Sequence, residues 1–214
     1  MGGEHGGRQN PVKDESYYGF AENPFTLTPD PKFLYRSESY ASAIELLQYA
    51  VERRDGFVVV TGDLGTGKTT LCRALLEKVD RKTVTALLLD PFLPEEDLLY
   101  AILQDLGVVS RGDEWRATRR PSRQELVNTL RDFLLSLAPV GARAVLMVDE
   151  AHNLPLPVLE QIRLLSNFET DTDKLLQVFL FGQPELQPLL RSPELRQLDQ
   201  RVSIRYQLKP LSED

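Results

Sequence analysis

Three glycines, a lysine and two threonines stand close together in Gly62-Asp63-Leu64-Gly65-Thr66-Gly67-Lys68-Thr69. The spacing is G-x-x-x-x-G-K-[ST], and each residue type in it has a chemical reason. Glycine adopts backbone conformations closed to residues with a Cβ, so successive N–H groups can turn inward around phosphate oxygens. Asp63, Leu64 and Thr66 between the glycines, and Thr70 just after the motif, belong to the same cradle. Lys68 brings a point charge on a flexible stem for β- and γ-phosphates, and Thr69 brings a hydroxyl for Mg²⁺. The implied chemistry is binding of ATP or ADP as a magnesium complex.

A second group of residues would complete such a site. Ala142-Arg143-Ala144-Val145-Leu146-Met147-Val148 is an apolar run that ends in Asp149-Glu150. A carboxylate closing a strand beside the loop strand can hold the Mg²⁺ shell, because that hard cation prefers oxygen ligands; the spacing assigns this to Asp149. Its neighbour Glu150 can orient and partly deprotonate an attacking water. Gln183 closes another buried run and is read either as a contact to the γ-phosphate or the water, or as a simple loop amide. His152 reads as a hydrogen-bonded turn residue before it reads as a proton carrier. Asp90 either restrains Glu150 or caps the turn before Pro91. By spacing alone, Arg196 and Arg201 could reach a neighbouring subunit's γ-phosphate or be ordinary solvated arginines.

These side chains need elements to hold them. Gly56-Phe57-Val58-Val59-Val60-Thr61 is a β-branched run leading into the glycine loop, and Thr70-Leu71-Cys72-Arg73-Ala74-Leu75-Leu76 leaves it with helical periodicity. The loop therefore lies between a strand and a helix whose positive dipole end faces the anion. Further strands are expected over 83–89, 142–148, 175–181 and 202–208. Helices are expected over 37–53, from Pro94 to about 106, over 123–137 behind the capping box of Ser122 and Glu125, and over 157–168, with two short ones before the last strand. Residues 108–120, with Trp115, read as a loop. Alternating strands and helices imply an α/β fold with a mostly parallel sheet covered on both faces. Right-handed crossovers then bring the strand ends to one edge.

Composition sets bounds on this picture. A chain of 214 residues suits one α/β domain with a full core. A formal charge of −7 argues against a strongly basic nucleic-acid surface. The single cysteine, Cys72, has no internal disulfide partner and reads as a buried, inert thiol. No run approaches the roughly eighteen apolar residues of a membrane span, and no secretory signal is evident, so the stretch reads as cytoplasmic. Residues 1–16 are glycine-rich and polar, a mobile arm in which His5 is only solvated. Residues 17–36 interleave aromatics with prolines and read as an ordered strap across the domain, serving as core cover or also as part of an adenine-pocket wall. Residues 37–214 are the nucleotide-binding domain.

Taken together, the strap YYGFAENPFTLTPDPKFLY, the loop TGDLGTGKTTLCRALL, the segment VDEAHNLPLPVLEQIRLLSNFET and the ending LLQVFLFGQPELQPLL…LRQLDQRVSIRYQLKPL resemble AAA+ P-loop ATPases. The closer likeness is to the general secretion pathway protein A family, ATPases of type II secretion and related pilus or exopolysaccharide systems. The resemblance implies a three-layer P-loop NTPase sandwich around a five-stranded sheet. It places Lys68 and Thr69 at Walker A, Asp149 and Glu150 at Walker B, and Gln183 at the sensor position on the fourth strand. Arg201 falls where related proteins carry an arginine finger acting in trans, which requires a homo-oligomer. Members often have asparagine where this chain has Asp90. The family's helical lid would follow Pro210-Leu211 and is expected to be missing. The implied activity is Mg²⁺-dependent ATP hydrolysis that drives assembly or rearrangement of an inner-membrane secretion or export complex. The alternative is a DNA-associated AAA+ switch of the transposition or origin-recognition type, against which the acidic total weighs.

Overall fold

The computed structural model describes residues 38–89, 92, 94–110, 121–169 and 174–210. The arm over 1–16, the strap over 17–36, Asp90 and Trp115 lie outside the described residues.

Five runs rich in Val, Leu, Ile and Phe form the strands: β1 (Phe57–Thr61), β2 (Thr83–Leu88), β3 (Arg143–Val148), β4 (Leu176–Gly182) and β5 (Val202–Gln207). The helices are α1 (Glu38–Arg53), α2 (Lys68–Lys78), α3 (Glu95–Asp105), α4 (Arg123–Leu137), α5 (Leu156–Leu165), and the short α6 (Leu186–Leu190) and α7 (Arg196–Asp199). All pairings in the sheet are parallel, and the order is β2-β3-β4-β1-β5. β1, β3 and β4 are buried on both faces, as a parallel sheet between helical layers must be; β5 at the edge alternates between half-buried and exposed.

The order corrects one expectation. β3 does not lie beside β1; β4 sits between them, paired to both. Strand periodicity specifies which runs are buried, and it leaves open which crossover inserts which strand.

The two faces of the sheet carry separate packing. Phe57, Val59, Ala86, Leu88, Leu146, Val178 and Leu180 pack with the apolar sides of α3, α4 and α5. On the opposite face lie α1 and α2. Gln177 of β4 donates to the carbonyls of Ala50 and Asp55, at 2.9 and 3.1 Å, and the Cys72 sulfur of α2 lies 3.6 Å from the Met147 sulfur of β3. The result is the three-layer arrangement that the resemblance implies.

Local chemistry sets the helix ends. Ser122 accepts from the Glu125 N–H while Glu125 accepts from the Ser122 N–H, which is the capping box in full. α5 ends at Leu165, short of the expected 168, because the N–H groups of Asn167 and Phe168 turn back to the carbonyls of Leu164 and Leu165, three residues behind them. β5 is tied back to β1 where the Leu208 N–H donates to the Thr61 carbonyl at 2.7 Å.

Candidate nucleotide site

At the C-terminal edge of β1 the chain turns through the glycine loop into α2. Gly65 and Gly67 have φ of +80° and +87°, a left-handed backbone that costs other L-residues about 1–2 kcal/mol each. Gly62 is required for a different reason. Its φ is not positive, but a Cβ there would stand 2.7 Å from Thr66 Oγ1 and 3.0 Å from the Leu208 carbonyl oxygen. The expectation that all three glycines serve unusual backbone angles therefore holds for two; Gly62 serves close approach.

Lys68 is the first residue of α2 and is buried, 5% exposed. Its ammonium donates to the carbonyls of Gly62 and Asp63, each at 2.9 Å, so the charge is held over the loop's own backbone. Thr66 Oγ1 donates to the Asp63 carbonyl at 2.9 Å and closes the turn. Leu64 at the loop's tip is strongly exposed, and the Thr70 carbonyl accepts from the Tyr40 hydroxyl of α1 at 3.4 Å.

Thr69 joins this loop to the acidic pair. Its hydroxyl donates to Asp149 Oδ2 at 2.5 Å, across 80 positions of sequence. Asp149 is 3% exposed, and its other oxygen accepts from the Glu150 N–H at 2.9 Å. Thr69 is the second residue of α2 and Asp149 follows the last residue of β3, so the bond ties the start of that helix to the end of that strand. The Gly62 N–H also donates to the Gly182 carbonyl at 3.2 Å, fixing the loop to the central strand.

Glu150 has φ 50° and ψ 34°, a left-handed conformation that is unusual away from glycine. Its carbonyl accepts from the Asn153 N–H at 2.9 Å, starting a short 3₁₀ turn, Ala151–Asn153. Gln183 follows Gly182, which places it at the end of the central strand between the ends of β3 and β1. His152 is a hydrogen-bonded turn residue, as read from the sequence: its Nδ1 accepts from the Gln183 N–H at 3.2 Å. A further partner was not legible. The Gln187 amide of α6 donates to Thr61 Oγ1 at 3.0 Å and pins the end of β1.

Arg201 stands apart from these groups. Its Nη1 donates to Ser166 Oγ at 3.0 Å and to the Arg163 carbonyl at 3.4 Å, at the C-terminal end of α5, where a cation also complements the helix dipole. Arg196 is exposed.

The donor set fits a magnesium nucleotide. A buried ammonium, the start of a helix, two positive-φ glycines and a Thr–Asp oxygen pair are hard, oxygen-seeking or anion-seeking groups. Cys72, one turn along α2, contributes nothing to it. Burial pushes its thiol far above the ordinary range, and the Asp149 carboxylate adds to the shift.

Comparison with known proteins agrees with this fold. A family model described as an AAA domain matches residues 51–190. General secretion pathway protein A of Aeromonas hydrophila is 46% identical over 196 residues, which is 92% of this chain and 35% of that protein. The chain thus spans about a third of the length of that relative. Among solved structures, the ORC2 protein of Aeropyrum pernix in its ADP form matches with a TM-score of 0.59 at 15% identity, over 92% of this chain and 52% of that one. Cdc6p from Pyrobaculum aerophilum matches with a TM-score of 0.56 at 19% identity, over 91% and 49%. These structural likenesses are likenesses of fold.

Proposed function

Because the chain belongs to the AAA domain family, we propose that it is an ATP-binding, Mg²⁺-dependent ATPase module whose turnover drives assembly or rearrangement of a secretion or export complex at the inner membrane. The observation that carries the ATPase reading is the Thr69–Asp149 hydrogen bond, which unites the lysine-bearing loop with the acidic pair. The secretion context rests on the relationship to general secretion pathway protein A. The DNA-linked alternative rests on fold alone.

In this reading each side chain has a task. Lys68 exchanges the carbonyls of Gly62 and Asp63 for phosphate oxygens. Thr69 and Asp149 would hold Mg²⁺, which when bound would neutralise charge on the phosphates. Glu150, with its backbone fixed on both sides, aims a carboxylate that orients water and accepts its proton. Gln183 senses the γ-phosphate from the central strand. Arg201 acts in a neighbouring subunit's site within a homo-oligomer, and must give up Ser166 and the Arg163 carbonyl to do so. The domain works on the cytoplasmic side; among the described residues no helix is long and apolar enough to cross a membrane.

The test is a series measured for binding and turnover separately. Lys68→Ala is expected to weaken Mg-ATP binding by about 10- to 100-fold, the worth of a charge-assisted contact. Glu150→Gln is expected to retain binding and lose about 10²- to 10⁴-fold in turnover. Arg201→Ala is expected to retain binding and to recover turnover when mixed with Glu150→Gln subunits. No calorimetric heat with Mg-ATP, or equal turnover in wild type and Glu150→Gln, would refute the reading.

A further inference from the structure

Glu150 and Gln183 lie on different strands' ends, and one side chain touches both residues. His152 Nδ1 accepts the Gln183 backbone N–H at 3.2 Å, and His152 Nε2 lies 3.6 Å from Glu150 Oε2. The acceptor role of Nδ1 decides the tautomer: the neutral ring carries its proton on Nε2, facing the Glu150 carboxylate. The imidazole is well buried, with a side chain 11% exposed, while that of Glu150 is 33% exposed. Its backbone is held close to β4 as well. A Cβ on Gly182 would stand 3.3 Å from the His152 nitrogen, so the glycine at the strand's end lets the turn sit tightly against it.

Two features make Glu150 dependent on this neighbour. Its backbone is constrained in the left-handed region, with its N–H bonded to Asp149 and its carbonyl to the Asn153 N–H. Such conformations persist where the surroundings over-determine them. The remaining freedom is in the side chain, and the His152 ring is what faces it.

We propose that His152 is a positioning residue that couples the end of β4 to the carboxylate of Glu150. A displacement of the Gln183 backbone shifts the ring through Nδ1 and re-aims Glu150 through Nε2. This rests on the reading of Glu150 as the water-orienting group and adds to it the route by which the sensor strand sets its aim. His152 touches neither nucleotide nor water in this role.

The experiment uses the whole chain with Mg-ATP and compares His152→Ala, His152→Asn and His152→Gln. Asparagine keeps an acceptor for Gln183 and loses the reach to Glu150; glutamine does the converse. All three are expected to lower kcat by about 10- to 100-fold, the usual cost of misplacing a reacting group by about an ångström. KM and nucleotide Kd should stay within about twofold. Gln183→Ala should cost less in the His152→Ala background than in wild type, since coupled residues are non-additive. Imidazole ¹⁵N spectra of the wild type at neutral pH, without nucleotide, should show the Nε2–H tautomer.

Wild-type kcat in the His152 variants, strict additivity with Gln183→Ala, or an Nδ1–H tautomer overturns the coupling. If Glu150→Gln loses turnover while His152→Ala turns over normally, the ATPase reading stands and this inference alone fails. A wild type that binds but never turns over, or does not bind, overturns both. Should His152→Ala not fold, the asparagine and glutamine variants and the tautomer decide.

Discussion

At the scale of single residues, the glycine loop shows how one motif letter can hide different physics. Gly65 and Gly67 need positive φ, whereas Gly62 needs the absence of a Cβ between Thr66 and the Leu208 carbonyl. Neither neighbour of Gly62 can yield easily: Thr66 is bonded to Asp63, and the Leu208 N–H is bonded to Thr61. Gly62→Ala is therefore expected to destabilise by about 1–3 kcal/mol, the usual cost of overpacking. In a chain of this size that lowers Tm by about 2–4 °C per kcal/mol, read by thermal unfolding without nucleotide. Gly65, with nothing within 4 Å of a built Cβ, offers the contrast, since only backbone strain should penalise alanine there. Motif spacing singled out Lys68, Thr69 and Asp149 because the chemistry expected of them fixes residue type, and the fold brings Thr69 and Asp149 into contact. It could not reveal the two-sided contacts of His152, which depend on where β3 and β4 end relative to each other.

At the scale of elements, patterning carried most of the fold. The β-branched and apolar runs became the strands, and the Ser122–Glu125 box starts its helix at the expected residue. What alternation could not specify was the insertion of β4 between β1 and β3. The junction between α2, β2 and β3 illustrates how such elements are fastened. Asp80 accepts from Thr83 Oγ1 at 2.6 Å and from the Lys82 N–H at 3.1 Å, and pairs with Arg143 at 3.2 Å. The Thr83 hydrogen bond foremost, with help from the Arg143 charge, holds the Asp80 carboxyl below its ordinary range. The folded value is depressed, so the stabilisation is complete above the unfolded value of about 3.9 and is lost as pH falls through the lower folded value. Denaturant midpoints followed down to about pH 3 should fall more steeply in wild type than in Asp80→Asn. The difference is small, because the Asp80 side chain is 55% exposed and water screens the pair.

At the scale of the whole molecule, the sheet places its chemistry along one edge, and the helical layers on either side differ in their tasks. α3, α4 and α5 build the larger apolar core, while α2 connects the loop to the acidic pair and packs back on the sheet through Cys72 and Met147. How subunits would meet was not legible from the chain, because a trans-acting arginine is recognised only by the surface it faces. Arg201 is seen in contact with α5 of its own subunit.

The buried sulfur of α2 has a practical corollary. Cys72 is 0% exposed and is the chain's single cysteine, so a maleimide or disulfide reagent reaches one atom, and only when α2 lifts from the sheet. Labelling speed in native buffer then works as an internal clock for that opening. Ligation of Mg-ATP should slow the clock in wild type and leave it unchanged in Lys68→Ala, with no dye or second site needed to read it.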